Sequence, residues 1–335
     1  MKTKLRILHI VVLITLLVFT YSCEVDNIQD IDKTFESSIE EHKSSSSALV
    51  NKETPYGGRA GHTSCIFDNK IWVIAGVQNQ FTYNDVWCSL DGEKWTQINS
   101  NASFNQRYGH AMTVTKDKMW IAGGMQGNQL YNDLWYSKNG KEWMLATQNG
   151  PFSPRRFHSF TNLNGRMFLI GGLSSAPGSV NGDIWVTDGV SWNLVTNLAP
   201  FGRRYGHKTT IYKNRIWVIG GIDENGNYLN DVWYSANGFQ WFLATPSAQF
   251  SPRRNHTLAA NKKGMWLTAG VDANQDYFDD IWFSQDGVAW QKIKKQSFPS
   301  RAYHSSVHFD NKLWIINGFS LENETPYLQD VWTYE

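Results

Sequence analysis

The sequence predicts an all-β fold of six four-stranded units, and three observations carry that prediction. A histidine recurs at His62, His110, His158, His207, His256 and His304, with spacings of 48, 48, 49, 49 and 48 residues. An arginine stands three residues before each one: Arg59, Arg107, Arg155, Arg204, Arg253 and Arg301. An Asp-aliphatic-Trp triplet follows downstream, led by Asp85, Asp133, Asp183, Asp231, Asp280 and Asp330, and all 16 tryptophans fall on three positions of this register. Self-similarity at a fixed period of this length is the signature of a repeat architecture.

Each unit reads as four strands. The first starts at the histidine, as in Gly61-His62-Thr63-Ser64-Cys65-Ile66-Phe67. A tight turn, Asp68-Asn69-Lys70, leads to Ile71-Trp72-Val73-Ile74, a continuous apolar run suited to burial on both faces. That strand is expected to end at Ala75-Gly76, where missing side chains permit a change of direction. The third strand is Asp85-Val86-Trp87-Cys88-Ser89. The next turn holds Asp91-Gly92, or Asn139-Gly140 and Asn237-Gly238 elsewhere, dipeptides that predict a type I′ hairpin. The fourth strand begins at Trp95. The last unit stops at Trp332-Thr333-Tyr334-Glu335, before a fourth strand. Counting back from His62 by the usual interval lands on Ser47-Ala48-Leu49-Val50, which is expected to supply that strand and close the ring without an exposed edge.

Four-stranded units near 48 residues, repeated six times, resemble Kelch repeats over residues 47–335. The matching features are the Arg-x-x-His start, the aliphatic run ending in Gly, and the paired aromatics. The resemblance implies a six-bladed β-propeller. The family's double Gly stands at Gly123-Gly124, Gly171-Gly172 and Gly220-Gly221, but is Ala-Gly elsewhere and Asn317-Gly318 in the last unit. The stretch Ser89-Leu90-Asp91-Gly92-Glu93-Lys94-Trp95 also looks like a shortened Asp-box of sialidases, read here as shared hairpin chemistry.

The 335 residues carry 31 Lys plus Arg against 30 Asp plus Glu, so the net charge of +1 argues against a general nucleic-acid binder. Aromatic residues make up 14%, which excludes a disordered chain. Residues 1–22 combine Lys2, Lys4 and Arg6 with the apolar run Ile7–Val18, the pattern of a secretory signal. With Ser22 before Cys23, the segment resembles a bacterial lipoprotein signal, which implies lipid on Cys23 and anchorage to the outer membrane. The acidic run that follows resembles the surface-export signals of Bacteroides-type lipoproteins. Residues 23–46, acidic and then Ser-rich, read as a tether. Cys65 and Cys88 fall on strands one and three of one sheet. Two strand spacings, about 9.6 Å, exceed the reach of a disulfide, so two buried free thiols are expected.

Antiparallel topology puts the two-to-three and four-to-one connections on one face. They are the longer, variable ones, with 8 to 11 residues between the strand-two Gly and the strand-three Asp. Binding is assigned to that long-loop face. The six arginines and six aspartates occur one to one, so a repeated ion pair locking the strands is the main reading. A ring of arginines gripping a ligand's carboxylate is the alternative. The histidines supply no ligand pair from one strand, and no metal and no cofactor are expected. Ligand candidates are residues that break the repeat: Arg156, Arg203 and Arg254; Phe157, Asn255 and Tyr303, where other units carry Gly; and Asn317. The loop tyrosines Tyr83, Tyr131, Tyr228, Tyr277 and Tyr327 join them. Arginines beside aromatics suit an acidic or hydroxyl-rich ligand.

Two functions follow. One is a lipid-anchored, surface-exposed module that binds a glycan or protein, as a monomeric propeller without nucleic-acid partners. The other is a carbohydrate-active enzyme on the same face, because the resemblance extends to sialic-acid mutarotases and to sialidases. A copper radical oxidase is disfavoured, since its Cys–Tyr crosslink would need a cysteine other than Cys65 and Cys88.

Overall fold

The computed structural model describes residues 47–175, 179–294 and 298–335; the stretches expected to be a signal segment (1–22) and a tether (23–46), with Cys23, lie outside the described residues. Six antiparallel sheets form the blades of a β-propeller. The first blade runs Thr63–Phe67, Lys70–Gln78, Phe81–Ser89 and Trp95–Asn99, in spatial order from the axis outward. The other blades repeat this order. In the sixth, the outer strand is Ser47–Asn51, which pairs antiparallel with Tyr327–Tyr334 in the register Ser47↔Tyr334. Both ends of the propeller therefore share one sheet, as the count back from His62 predicts, and the sixth sheet has its full four strands.

The second strand does not stop at the glycine pair. It passes through it, and the register shifts by one residue between Ile74 and Gly76 before the ladder resumes. The same shift recurs at Ala122/Gly124, Ile170/Gly172, Ile219/Gly221 and Ile316/Gly318. This is a β-bulge, and it explains both the strict and the lax position of the pair. The first residue is left-handed, with φ of 57° at Ala75, 51° at Ala269 and 53° at Asn317, a region that a small residue or Asn enters at modest cost. The second has φ between 97° and 124° and is Gly in every blade. At Gly124 a Cβ would lie 2.8 Å from the His110 Cβ. Because the ladder resumes, part of the expected loop between strands two and three is a hairpin extension.

Turn chemistry also differs from expectation at one point. The first turn of blade one is the one with two positive φ values, 48° at Asp68 and 51° at Asn69. In the Asp-Gly and Asn-Gly turns only the glycine is left-handed. There Asp91 Oδ1 accepts from the Glu93 and Lys94 amides, and the Ser89 hydroxyl accepts from Gly92 N, so side chains rather than a type I′ backbone shape the turn. The glycine meets a second demand. An added Cβ would sit 2.1 Å from a ring atom of the preceding blade's strand-two Trp: Trp314 for Gly92, Trp72 for Gly140 and Trp217 for Gly287.

Cys65 and Cys88 both pair with Trp72, from opposite sides, and are buried free thiols. Burial raises both thiol pKa values and keeps the sulfurs protonated.

Two expectations follow. Gly140→Ala should cost about 3 kcal/mol, because it meets both the left-handed φ and the Trp72 ring. Gly127→Ala, at φ 52° with nothing within 4 Å, should cost about 1 kcal/mol. Urea unfolding of both variants checks the difference; equal losses would show that the Trp contact carries no weight.

Candidate functional site

The six arginines are locked. Each guanidinium is at most 1% exposed and grips its blade's aspartate with two hydrogen bonds, as in Arg107 Nη1 to Asp133 Oδ1 at 2.7 Å and Nη2 to Oδ2 at 2.8 Å. The pairs Arg59–Asp85, Arg155–Asp183, Arg204–Asp231, Arg253–Asp280 and Arg301–Asp330 repeat it. Nη1 also donates to the carbonyl at the bulge, Ala75, Gly123, Gly171, Gly220, Ala269 or Asn317, at 2.8–3.1 Å. The aspartate Oδ2 also accepts from the indole N–H two residues on, for example Trp135 at 2.8 Å. The triplet is therefore one buried network that ties strands one, two and three. Its arginines are not available to grip a ligand.

Inside the lock lies a closed circuit of backbone hydrogen bonds. The amide just before each histidine donates to the carbonyl of its counterpart in the preceding blade: Gly109 to Gly61, Phe157 to Gly109, Gly206 to Phe157, Asn255 to Gly206, Tyr303 to Asn255 and Gly61 to Tyr303, at 2.7–3.0 Å. All six residues are left-handed, with φ from 52° to 67°. Three of them are not glycine. Phe157, Asn255 and Tyr303 hold a conformation that costs an aromatic or amide side chain on the order of 1 kcal/mol. Strain of this kind concentrates at functional sites.

Phe157 and Tyr303 come from opposite blades, and their rings meet with centroids 5.7 Å apart. They floor a cavity of about 370 Å³ to which every blade contributes. Its wall includes Tyr108, Arg156, Tyr205 and Arg254, all two residues before a histidine, together with Asn79, Phe319 and Tyr327. Arg156 donates to the Tyr108 hydroxyl at 3.3 Å and lies 5.1 Å over the Phe157 ring. Arg254 lies 5.6 Å over the Tyr228 ring, and its Nε is buried without a partner. Among the described residues neither arginine has a carboxylate partner, and no Asp or Glu lines the cavity. Burial raises the Tyr303 hydroxyl above its usual pKa, so it remains a neutral donor.

The sequence candidates divide on this geometry. Arg156, Arg254, Phe157, Tyr303 and Tyr327 line the cavity, and Tyr228 packs against Arg254. Tyr277 stands behind Phe319, with ring centroids 6.1 Å apart. Arg203 is elsewhere. It precedes its lock arginine where Arg156 and Arg254 follow theirs, so it pairs with exposed Glu224 at 2.8 Å. Asn317 is fully buried and donates to the Gly57 carbonyl, and Asn255 is buried within the backbone circuit. Tyr83 and Tyr131 cover the lock, with Arg59 and Arg107 lying 4.8 and 4.6 Å over their rings. Tyr108 and Tyr205 were not among the candidates. The column two before each histidine, reading Ala60, Tyr108, Arg156, Tyr205, Arg254 and Ala302, carried the signal.

Below the floor His62, His110, His158 and His304 border the channel, and all six repeat histidines are buried. Their burial, and next the nearby lock arginine, hold His62 and His158 down to about 3 and the other four well below the usual imidazole range. The unfolded chain binds these protons below about pH 6.5 and the folded chain does not, so stability is intact above that pH and falls as pH drops toward 3. Near pH 5 unfolding should take up about six protons, read from the slope of unfolding free energy against pH. A slope below two protons would mean that the native ring carries charge.

A family profile described as the KLHDC2/KLHL20/DRC7 Kelch-repeats domain matches residues 61–196 and 177–335. No curated protein matches the chain at a significant level. A solved structure titled "Structure of YjhT" superposes with a TM-score of 0.69 at 16% identity, covering 84% of this chain and 96% of that one. The two matched segments run from the first blade to the last, and the blades they cover share one lock and one axial circuit: the chain belongs to the Kelch-repeat family of β-propellers.

Proposed function

We propose that this chain is a lipid-anchored, surface-exposed binding module whose axial cavity on the long-loop face takes a glycan bearing a carboxylate. One observation carries the reading: two guanidinium groups without carboxylate partners, Arg156 and Arg254, border the same aromatic-floored cavity. A volume of about 370 Å³ suits a sugar or two. Guanidinium forks match a carboxylate's geometry, and the Tyr108, Tyr205, Tyr303 and Tyr327 hydroxyls offer partners to sugar hydroxyls. The aromatic faces suit the apolar side of a pyranose.

Hydrolysis by paired carboxylates finds less support. It requires an acid and a second carboxylate flanking the scissile bond. Four of the long-loop acids have other partners: Asp223 and Asp272 cap their own turns, Glu224 holds Arg203, and Glu322 accepts from Ser300. Anchorage rests on the signal-like segment ending at Cys23.

A thermal-shift screen of the protein against glucuronate, sialic acid and their neutral counterparts tests the reading. The acids should raise Tm and the neutral sugars should not. Arg156→Ala or Arg254→Ala should weaken binding about 10- to 100-fold, the loss expected for a charge-assisted hydrogen bond. Arg203→Ala should leave it unchanged. A flat screen, or equal loss in the Arg203 variant, would overturn the proposal.

A further inference from the structure

The residue after each ring histidine reads Thr63, Ala111, Ser159, Lys208, Thr257 and Ser305. Four of the six are hydroxyl residues with one shared task. Each bonds Nε2 of the next blade's histidine: Thr63 to His110, Ser159 to His207, Thr257 to His304 and Ser305 to His62, at 2.8–3.0 Å. Lys208 breaks the column with a charge and Ala111 with a methyl group, so His256 and His158 lack the hydroxyl partner that the other four have.

Lys208 borders a second cavity, about 120 Å³, inside the channel below the aromatic floor. Its neighbours there are the hydroxyl side chains of Thr63, Ser159, Thr257 and Ser305, and imidazoles. No Asp or Glu lines this cavity, and Lys208 has no ion pair among the described residues. All six blades contribute to the lining of this cavity, so Lys208 borders the axis. Ser64 and Ser306 stand in the same wall, each with a buried hydroxyl oxygen that has no partner. Burial pulls the ammonium down to about 8, which still leaves it mostly charged at neutral pH. The imidazoles are held neutral, so among the described residues Lys208 is the one positive side chain bordering the cavity, and no Asp or Glu lines it.

We propose that the channel is an anion site centred on Lys208, sized for a halide or a small oxyanion such as phosphate or sulfate. The cavity holds several water-sized volumes, enough for such an ion with part of its hydration. The ammonium supplies the charge, and the unpartnered hydroxyls of Ser64 and Ser306 supply donors. An unpaired ammonium drawn partly out of water into the channel wall destabilises the folded chain, and an anion that binds only the folded state offsets this. The site is separate from the guanidinium cavity and does not depend on what that cavity binds.

The test is the melting temperature of the full chain as sodium HEPES, whose anion is too large for the cavity and carries no carboxylate, is exchanged for bromide, phosphate or sulfate at fixed ionic strength. The wild type should gain about 3 °C in a saturable way. Lys208→Thr, which restores the hydroxyl of the column, should melt at or above the wild type in sodium HEPES and should not respond to the small anions. The double variant Arg156→Ala/Arg254→Ala should keep the wild-type response. Bromide anomalous scattering from a crystal should place the ion beside Lys208. The proposal is overturned by an unresponsive wild type, by a Lys208→Thr variant that responds equally, or by a double variant that loses the response.

Discussion

The buried pair between arginine and aspartate is the constraint on which each blade depends. It satisfies the guanidinium, the carboxylate, one bulge carbonyl and one indole at once. Each of these groups would be expensive to bury alone. Together they fix the start of the inner strand relative to the bulge of the second and the middle of the third. The aromatic six residues before the histidine then covers the arginine and meets the outer-strand tryptophan edge to face, as Phe104 does with Trp143 at 5.1 Å. Packing between blades follows from blades of one shape.

A rigid repeat also decides where variation can matter. Near the axis the six copies of a position stand within reach of one another, so a departure in two or three blades builds a single feature. Arg156 and Arg254 border one cavity for this reason, and Phe157 meets Tyr303 across the ring. The same departure at the rim builds nothing shared, as Arg203 shows by settling with Glu224. The two axial cavities thus have different chemistry from one mechanism: guanidinium groups and tyrosines above the aromatic floor, one ammonium and a set of hydroxyls below it.

What was legible in the sequence was whatever chemistry repeats. The Arg–Asp pairs, the propeller, the closing strand Ser47–Asn51 and the separated thiols could be read because each needs only residue types at a fixed interval. The continuation of strand two was not legible, because Ala75 or Asn317 in a left-handed bulge looks, as a letter, like the end of a strand. The Asn-Gly turns misled for a related reason: the asparagine acts through its side chain and not through its φ. Tyr108 and Tyr205 were hidden because a tyrosine at a blade edge passes for packing until its column is set beside Arg156 and Arg254. Arg203 and Arg156 each adjoin a lock arginine, and only the strand register separates their directions.

The backbone circuit around the axis has one more property. Its six hydrogen bonds run head to tail in a single rotational sense, from each amide to the carbonyl of the preceding blade. A helix stacks its peptide dipoles along one line and gains a charged end. Dipoles arranged in a circle have tangential components that sum to nothing, and a circle has no end at which an unpaired group is left. The scaffold thus surrounds the channel with strongly polar bonds that add little net field from those components. The potential along the axis is set by the few side chains that depart from the repeat, and a change of one residue there can reverse its sign.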